Sequence, residues 1–443
     1  MSQSRNRVTF AQLCAVVGKR GKTVIAGRTL PVCLGVLLLT APGADAATFY
    51  VSPAGNDANS CNSAQSTSPS SHKLTISAGV ACLSPGDTLM IRGGTYTGSR
   101  NVIDSQTYPV PAGSSWSNPV TISGYPGETV VIQPPNNVSA VRLRGNTSYV
   151  VIQDLVLDLV NSVDGTDADV VLLWETHHVR LQRIEAKNGK SFGIGVGKDT
   201  PFIEVLDSRI HDIGATNGDH TNGHCLYISG SDGLYEGNEL FNCIGYGYHV
   251  YNYNTAEIHT DPSRNVIRRN RIHNNGVAGG YGIVLAWGDG NVAYNNLIYD
   301  NYAGILIYIG ALNAQVYNNT IVGNRGEGIG MQYYGNAPSI RNNIVFGNGA
   351  AIANNGGTGS PIVDHNLTTE PGFTDGGRRD FTLRGDSAAR DVGISLSVVT
   401  DDFARLRRPS GGGYDIGAFE YSGSTQTSSL PPPPPQNVRL IIN

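Results

Sequence analysis

From residue 140 onward, apolar and polar positions alternate in short runs that return at a regular spacing. Each unit opens on a small residue, alternates apolar positions, turns, and enters a second strand that ends near Asn-x-Ile before a turn of Asn and Gly. Gly282-Ile283-Val284-Leu285, Gly304-Ile305-Leu306-Ile307 and Gly328-Ile329-Gly330-Met331 display the first strand, and its equivalents begin at Ala140, Val170, Gly193, Cys225, Gly247 and Ala351. Successive spacings are 30, 23, 32, 22, 35, 22, 24 and 23. The second strand recurs as Asn270-Arg271-Ile272, Asn295-Asn296-Leu297-Ile298, Asn318-Asn319-Thr320-Ile321 and Asn342-Asn343-Ile344-Val345. Period-two alternation turns Ile305 and Ile307 inward and Leu306 and Tyr308 outward. Coils of this length stack as a solenoid, each burying its apolar side on the next. Like residues then sit roughly 4.8 Å apart, and repeated Asn can pair as side-chain ladders. A propeller blade needs about 40 residues and a leucine-rich repeat needs its Leu framework; neither pattern is present. The expectation is an all-β chain, a single-stranded right-handed parallel β-helix with an N-terminal cap. Ile194, Leu226, Tyr248, Ile283, Ile305 and Ile329 should share one inward column.

The flanks differ from the coils. Residues 47–139 read as the cap and first coils, 140–370 as the repeats, 371–422 as a closing segment, and 423–443 as a Ser/Pro-rich linker tail with prolines 431–435. Within the cap, Lys73 to Leu83 is a short amphipathic segment, with Leu74, Ile76, Val80 and Leu83 apolar, suited to plugging the open first rung. Residues 1–46 read as a signal peptide: Arg5, Arg7, Lys19, Arg20, Lys22 and Arg28 precede an apolar stretch from Leu30 to Pro42, and Ala44-Asp45-Ala46 supplies small residues for cleavage. About 13 apolar residues are too few to span a bilayer. The chain is therefore expected to be secreted or held at the cell surface, as a monomer.

Composition supports the solenoid, with 56 Gly, 15% charged residues and three Met among 443 positions. Without residues 1–46 the chain carries 25 basic and 34 acidic residues, a net charge near −9. That balance argues against nucleic acid or an anionic membrane surface as partner. Of the four cysteines in this part, Cys61–Cys82 would staple the cap, and Cys225–Cys243 could join a strand to the following turn. Four buried thiols are the other reading, and no CxxC or Cys/His metal spacing occurs.

The opening unit, the Asn/Gly coils and the closing Asp415-Ile416-Gly417-Ala418-Phe419-Glu420-Tyr421 together resemble the bacterial right-handed parallel β-helix repeat proteins. The opening segment is also similar to that of β-helical polysaccharide lyases. The resemblance covers nearly all of the chain beyond residue 46. It implies a fold shared by lyases, hydrolases, epimerases and non-catalytic surface proteins, among which fold alone does not choose.

Coils longer than the base repeat mark loops the fold does not require, where function concentrates. One such loop adds Asp158, Asp164, Asp167 and Asp169, and another adds His211, Asp212, Asp219 and His220. A third adds Asn252, Tyr253, Glu257, His259 and Asp261. Outward positions of the first strand give a strip: Gly195 and Gly197 as a bare floor, then Tyr227 and Ser229, then His249 and Tyr251. With Asn252 and Tyr253, these are the expected substrate-binding and catalytic surface, since sugars stack on aromatic faces and bond to polar rims. The ordinary reading of exposed Tyr and His is that they are strand residues. Asp164, Asp167, Asp169, Asp212 and Asp219 are hard oxygen donors suited to Ca²⁺, although loop Asp residues more commonly cap turns. A uronate lyase needs the substrate carboxylate neutralised and a base beside it. Lys190 could be that base, as could Lys187 or Lys198, and His220, His224, His249 and Tyr251 are the His/Tyr alternative. The reading is a protein that binds and cleaves an acidic polysaccharide by β-elimination. A non-catalytic glycan-binding scaffold, or a hydrolase or epimerase on the same fold, is the alternative.

Overall fold

In the computed structural model, residues 46–214, 223–252, 262–277 and 279–423 are described. The proposed signal segment and the proline-rich tail lie outside them, as do Asp219, His220 and Tyr253. Three long sheets carry the chain, one of twelve strands and two of ten. The first begins at Thr48–Val51, the second at Gly94–Thr97 and the third at Ile103–Asp104. From Thr88–Ile91 to Ala350–Asn354 each coil visits them in that order, so each strand pairs in parallel with its counterpart one coil away, as Val171 does with Ile194 and Val179 with Ile203.

The expected inward column is present. Ile194, Leu226, Tyr248, Ile283, Ile305 and Ile329 are consecutive register partners in the third sheet. Each is fully buried, and burying such a side chain contributes about 1.5–3 kcal/mol. Beside the column, Asn238, Asn270, Asn296, Asn319, Asn343 and Asn366 form a ladder in which each Nδ2 donates to the next Oδ1 at 2.9–3.2 Å. The backbone N–H of each rung donates to the same oxygen. Each buried amide therefore satisfies the turn above and the turn below, and that accounts for the recurrent Asn-Asn pairs. The first Asn of the pair is spent differently: Asn295, Asn318 and Asn342 hold φ of 53°, 47° and 57°, a region Asn tolerates at low cost.

The cap is closed by the helix Ile76–Val80, whose Thr75 hydroxyl accepts from Ala78 N–H. Ile76, Val80 and Leu83 are buried as expected, whereas Leu74 is 41% exposed and faces away from the plug. Both cysteine pairs are disulfides, Cys61–Cys82 across the cap and Cys225–Cys243 within a coil. The second ties the residue before the strand Leu226–Ile228 to the end of the strand Glu239–Cys243, both sulfurs lying in the core. The closing segment packs along the outside of the coils: Phe373, Phe381, Ile416 and Phe419 cover Leu297, Tyr299 and Ile344. Its Arg408–Glu420 ion pair is completely buried, and Arg408 also donates to Asn295 Oδ1 at 3.1 Å.

Candidate functional site

Register on the third sheet fixes which side chains face outward together. One outward column runs Arg142, Leu172, Gly195, Tyr227, His249, Val284 and Leu306. A second, two residues further along each strand, contains Arg144 and Trp174 as register partners and continues to Gly197, Ser229 and Tyr251. Where both outward positions are glycine the surface dips into an open groove of about 340 Å³, lined by Arg144, Asp167, Asp169, Trp174, Phe192 and Tyr227 among others. Its floor is not bare. The Asp169 carboxyl lies over Gly195 and the Trp174 indole lies over Gly197, each from the coil before.

Asp169 ends the long loop between the strands Val156–Asp158 and Val171–Trp174. The loop is held in place by Asn137 Oδ1, which accepts from the N–H groups of Asp167 and Ala168 at 3.2 Å. Asp169 is 8% exposed, and its Oδ1 accepts from Phe192 N–H at 3.1 Å. Burial pushes the carboxyl up to about 7; hydrogen bonds from Phe192 and Ser191 oppose the rise and the neighbouring Asp167 adds to it. A group titrating near neutrality in a cleft is matched to acid–base work. Across the groove, the Arg144 guanidinium sits 5.4 Å from the Trp174 ring centroid, and its buried Nε has no hydrogen-bond partner. The far wall is aromatic, with Phe192 stacked on Tyr227 at 4.8 Å.

Beyond that wall the expected His and Tyr residues form one ring cluster. His224 stacks on Phe192 and Tyr246, with His249 edge-on at 4.6 Å and Tyr251 4.9 Å further along. His224 Nδ1 accepts from Tyr246 N–H at 3.0 Å, and burial pushes the imidazole down to about 3. His249 is also driven well below the ordinary range by burial and by His224, and its Nδ1 is buried without a partner. Both imidazoles are neutral at ordinary pH and weakly basic, a poor match to taking a proton from carbon.

The remaining expected residues disperse. Lys190 Nζ lies 3.6 Å from Asp164 Oδ1 in an ion pair, and Lys187 and Lys198 pair with Glu185 and Asp199. Asp212 belongs to the outer face of the second sheet, where it binds His211 Nδ1 at 2.7 Å and accepts from Asn242. Ser229 Oγ donates to Tyr251 O at 2.8 Å, and Asn252 is buried. Of the expected Ca²⁺ ligands that are described, Asp167 and Asp169 line the groove and Asp164 and Asp212 do not. Among the described residues, no three His, Cys, Asp or Glu side chains come together to hold a metal. Arg144, Trp174 and Phe192 were not anticipated, although period-two alternation along Val141-Arg142-Leu143-Arg144 and Val171-Leu172-Leu173-Trp174 already places the Arg and Trp outward.

With this geometry established, comparison with known proteins identifies the fold. Residues 216–368 match the family model described as "Right handed beta helix region". Among solved structures the chain is similar to pectate lyase Pel9A, with a TM-score of 0.59 and 16% identity, over 84% of this chain and 96% of that one. It is also similar to the complex of XylC with xylose, at a TM-score of 0.45 and 12% identity over 69% of each chain. The alginate lyase from Paenibacillus sp. str. FPU-7 gives a TM-score of 0.42 and 15% identity over 66% of this chain and 97% of that one. The last two likenesses are too loose to carry an argument. A comparison with curated proteins finds no match. The likeness to Pel9A is one of fold: this chain is a right-handed parallel β-helix. Among its described residues no helix is long and apolar enough to cross a membrane.

Proposed function

We propose that the chain is an exported carbohydrate-active protein that binds an acidic polysaccharide in the groove over Gly195 and Gly197 and cleaves it by β-elimination. The observation that carries the reading is Asp169, a buried carboxyl titrating near 7 that shares an open groove with Arg144 and Trp174. Trp174 offers a flat face to a pyranose ring. Arg144 brings a permanent positive charge to the sugar's carboxylate, acidifying the adjacent carbon. Ionised Asp169 takes the proton from that carbon. The C–H electron pair becomes the new double bond, the glycosidic C–O bond breaks, and the leaving oxygen takes a proton from Tyr227 or water. The fold shared with pectate lyase Pel9A agrees with this chemistry. The two disulfides agree with export to an oxidising compartment.

A second reading is favoured by one observation. Asp167 and Asp169 are neighbouring carboxyls of which one is pushed up to about 7, the arrangement a glycoside hydrolase uses for its acid. The pH dependence separates the two. A base must be ionised, so elimination rises with pH through about 7; an acid must be protonated, so hydrolysis falls over the same range. The test is a panel of alginate, pectate and glycosaminoglycans, with and without Ca²⁺, following both the absorbance of the unsaturated product and new reducing ends. New reducing ends without unsaturation would replace elimination by hydrolysis. No product from any uronate polymer would leave a glycan-binding scaffold.

A further inference from the structure

The strand Ile194–Val196 and the residue after it are singular on the third sheet. In each of the other rungs from Arg142/Arg144 to Ala353/Asn355, at least one of the two outward positions carries a side chain; at Gly195 and Gly197 neither does. Backbone conformation does not demand this, because neither glycine is in the left-handed region, and an alanine fits an extended strand at least as well as glycine. The demand comes from above. A Cβ at Gly195 would collide with Asp169 Oδ2, and a Cβ at Gly197 would collide with Cε3 and Cζ3 of Trp174. Gly193, the preceding glycine of the same alternation, differs in kind: its missing Cβ faces Ile210 and the Cys225 carbonyl, which is ordinary interior packing.

We propose that Gly195 and Gly197 are paired positioning residues, one seating the Asp169 carboxyl and the other the Trp174 ring. They act separately: the first sets where and at what pH the proton is taken, and the second sets how tightly the sugar is held. The proposal rests on the reading of the groove given above and deepens it. The Asp169 carboxyl is the end of a flexible side chain. A methyl at position 195 therefore moves it off its seat, away from the Phe192 N–H and toward water, without unfolding the coil. A methyl at 197 lifts the indole from the strand and tilts it out of the sugar plane.

The experiment uses the full chain with Gly195→Ala, Gly197→Ala, Asp169→Asn, Trp174→Ala and the double variant Gly197→Ala/Trp174→Ala. Gly195→Ala should lower kcat by about 30- to 100-fold, as a displacement near 1 Å does, with little change in KM. Its pH–rate profile and the carboxyl titration followed by NMR should move toward the ordinary Asp range. Gly197→Ala should raise KM by about three- to tenfold, the worth of one aromatic contact, with kcat nearly unchanged. It should weaken retention of the same polymer in affinity electrophoresis. Added to Trp174→Ala it should do nothing further, since the ring it displaces is gone. Thermal midpoints of the single glycine variants should stay within about 2 °C of the parent. The proposal is overturned if both glycine variants match the parent while Asp169→Asn and Trp174→Ala do not, or if the Gly197 effect persists without Trp174. It also falls if the Asp169 titration is the same in Gly195→Ala as in the parent. Full turnover and full retention by Asp169→Asn and Trp174→Ala would instead remove the reading of the groove.

Discussion

At Asp169 the features proposed for function also cost stability. The folded protein holds the proton of this carboxyl up to about pH 7, against 3.8 for an unburied Asp. The folded state therefore binds the proton more tightly than the unfolded one, and stability falls as pH rises from about 4 to 7. Asp169→Asn removes the ionisation while keeping the shape. Its advantage in unfolding free energy should grow by about 2–3 kcal/mol between pH 5 and pH 8, while turnover is lost. Chemical denaturation at the two pH values checks this, and an advantage that stays flat would show that Asp169 titrates normally. The loop Asp residues were legible in the sequence because they interrupt the coil period. Their division was not legible: among the described ones, Asp164 finds Lys190, Asp212 finds His211, and Asp167 and Asp169 reach the groove. The pairing of Lys190 with Asp164 joins residues 26 positions apart in sequence and depends on a loop path that periodicity does not encode.

Between residues and the molecule lie the ladders, and they make the second and third predictions. On the outer face of the second sheet, His211, Phe241, His273 and Tyr299 stack ring on ring at 4.5, 5.3 and 5.0 Å. Glu185 lies behind them with its side chain 7% exposed. Burial alone would raise its pKa, yet the hydrogen bonds and charge of His211 and Lys187 hold it at about 2. A depressed carboxylate contributes stability that is present above its unfolded value of 4.5 and is lost as pH falls from there to about 2. Glu185→Gln should accordingly cost a few kcal/mol at pH 6 and little at pH 2.5, read by urea unfolding; an equal cost at both would make the loss one of packing. Inside the coils the third prediction concerns Asn296, whose amide serves Ile267 O, Asn319 Oδ1 and the Asn270 N–H. Asn296→Ala should cost about 2–4 kcal/mol by orphaning the buried Ile267 O and Asn270 N–H of the preceding rung and breaking the ladder to Asn319, whereas Asn→Ala at the rung-end Asn366 should cost less than half of that. The Asn repeats themselves announced these ladders, since a polar residue that recurs once per coil in a buried turn has its own copy as its nearest partner.

On the scale of the whole molecule, the solenoid was legible because every contact it needs is between neighbouring copies of one short pattern. The column from Ile194 to Ile329 could be written from spacing alone. The closing segment has no such repeat. Its composition marked an end, but not that it would fold back along the coils as far as Asn295 and Arg269. What fixes it there is charge withdrawn from water. Arg408 and Glu420 are both fully buried. Arg408 also donates to Asp415 O and Gly417 O, while Glu420 accepts from the N–H groups of Ser410 and Asp415. Removing one member of such a pair leaves the other charged in a dry site, at a cost of about 3–5 kcal/mol. In a solenoid that cost need not be paid by the whole chain, because stability is approximately a sum over neighbouring units. Arg408→Met is therefore expected to release the strap first, uncovering Leu297, Tyr299 and Ile344, while the coils around the groove remain folded. Hydrogen exchange reads this directly: amides of 401–421 should lose protection while those of 171–206 keep it, with turnover on the polymer unchanged. Equal loss in both regions would mean that strap and groove unfold as one cooperative unit, and that the closing segment supports the site as well as the end of the helix.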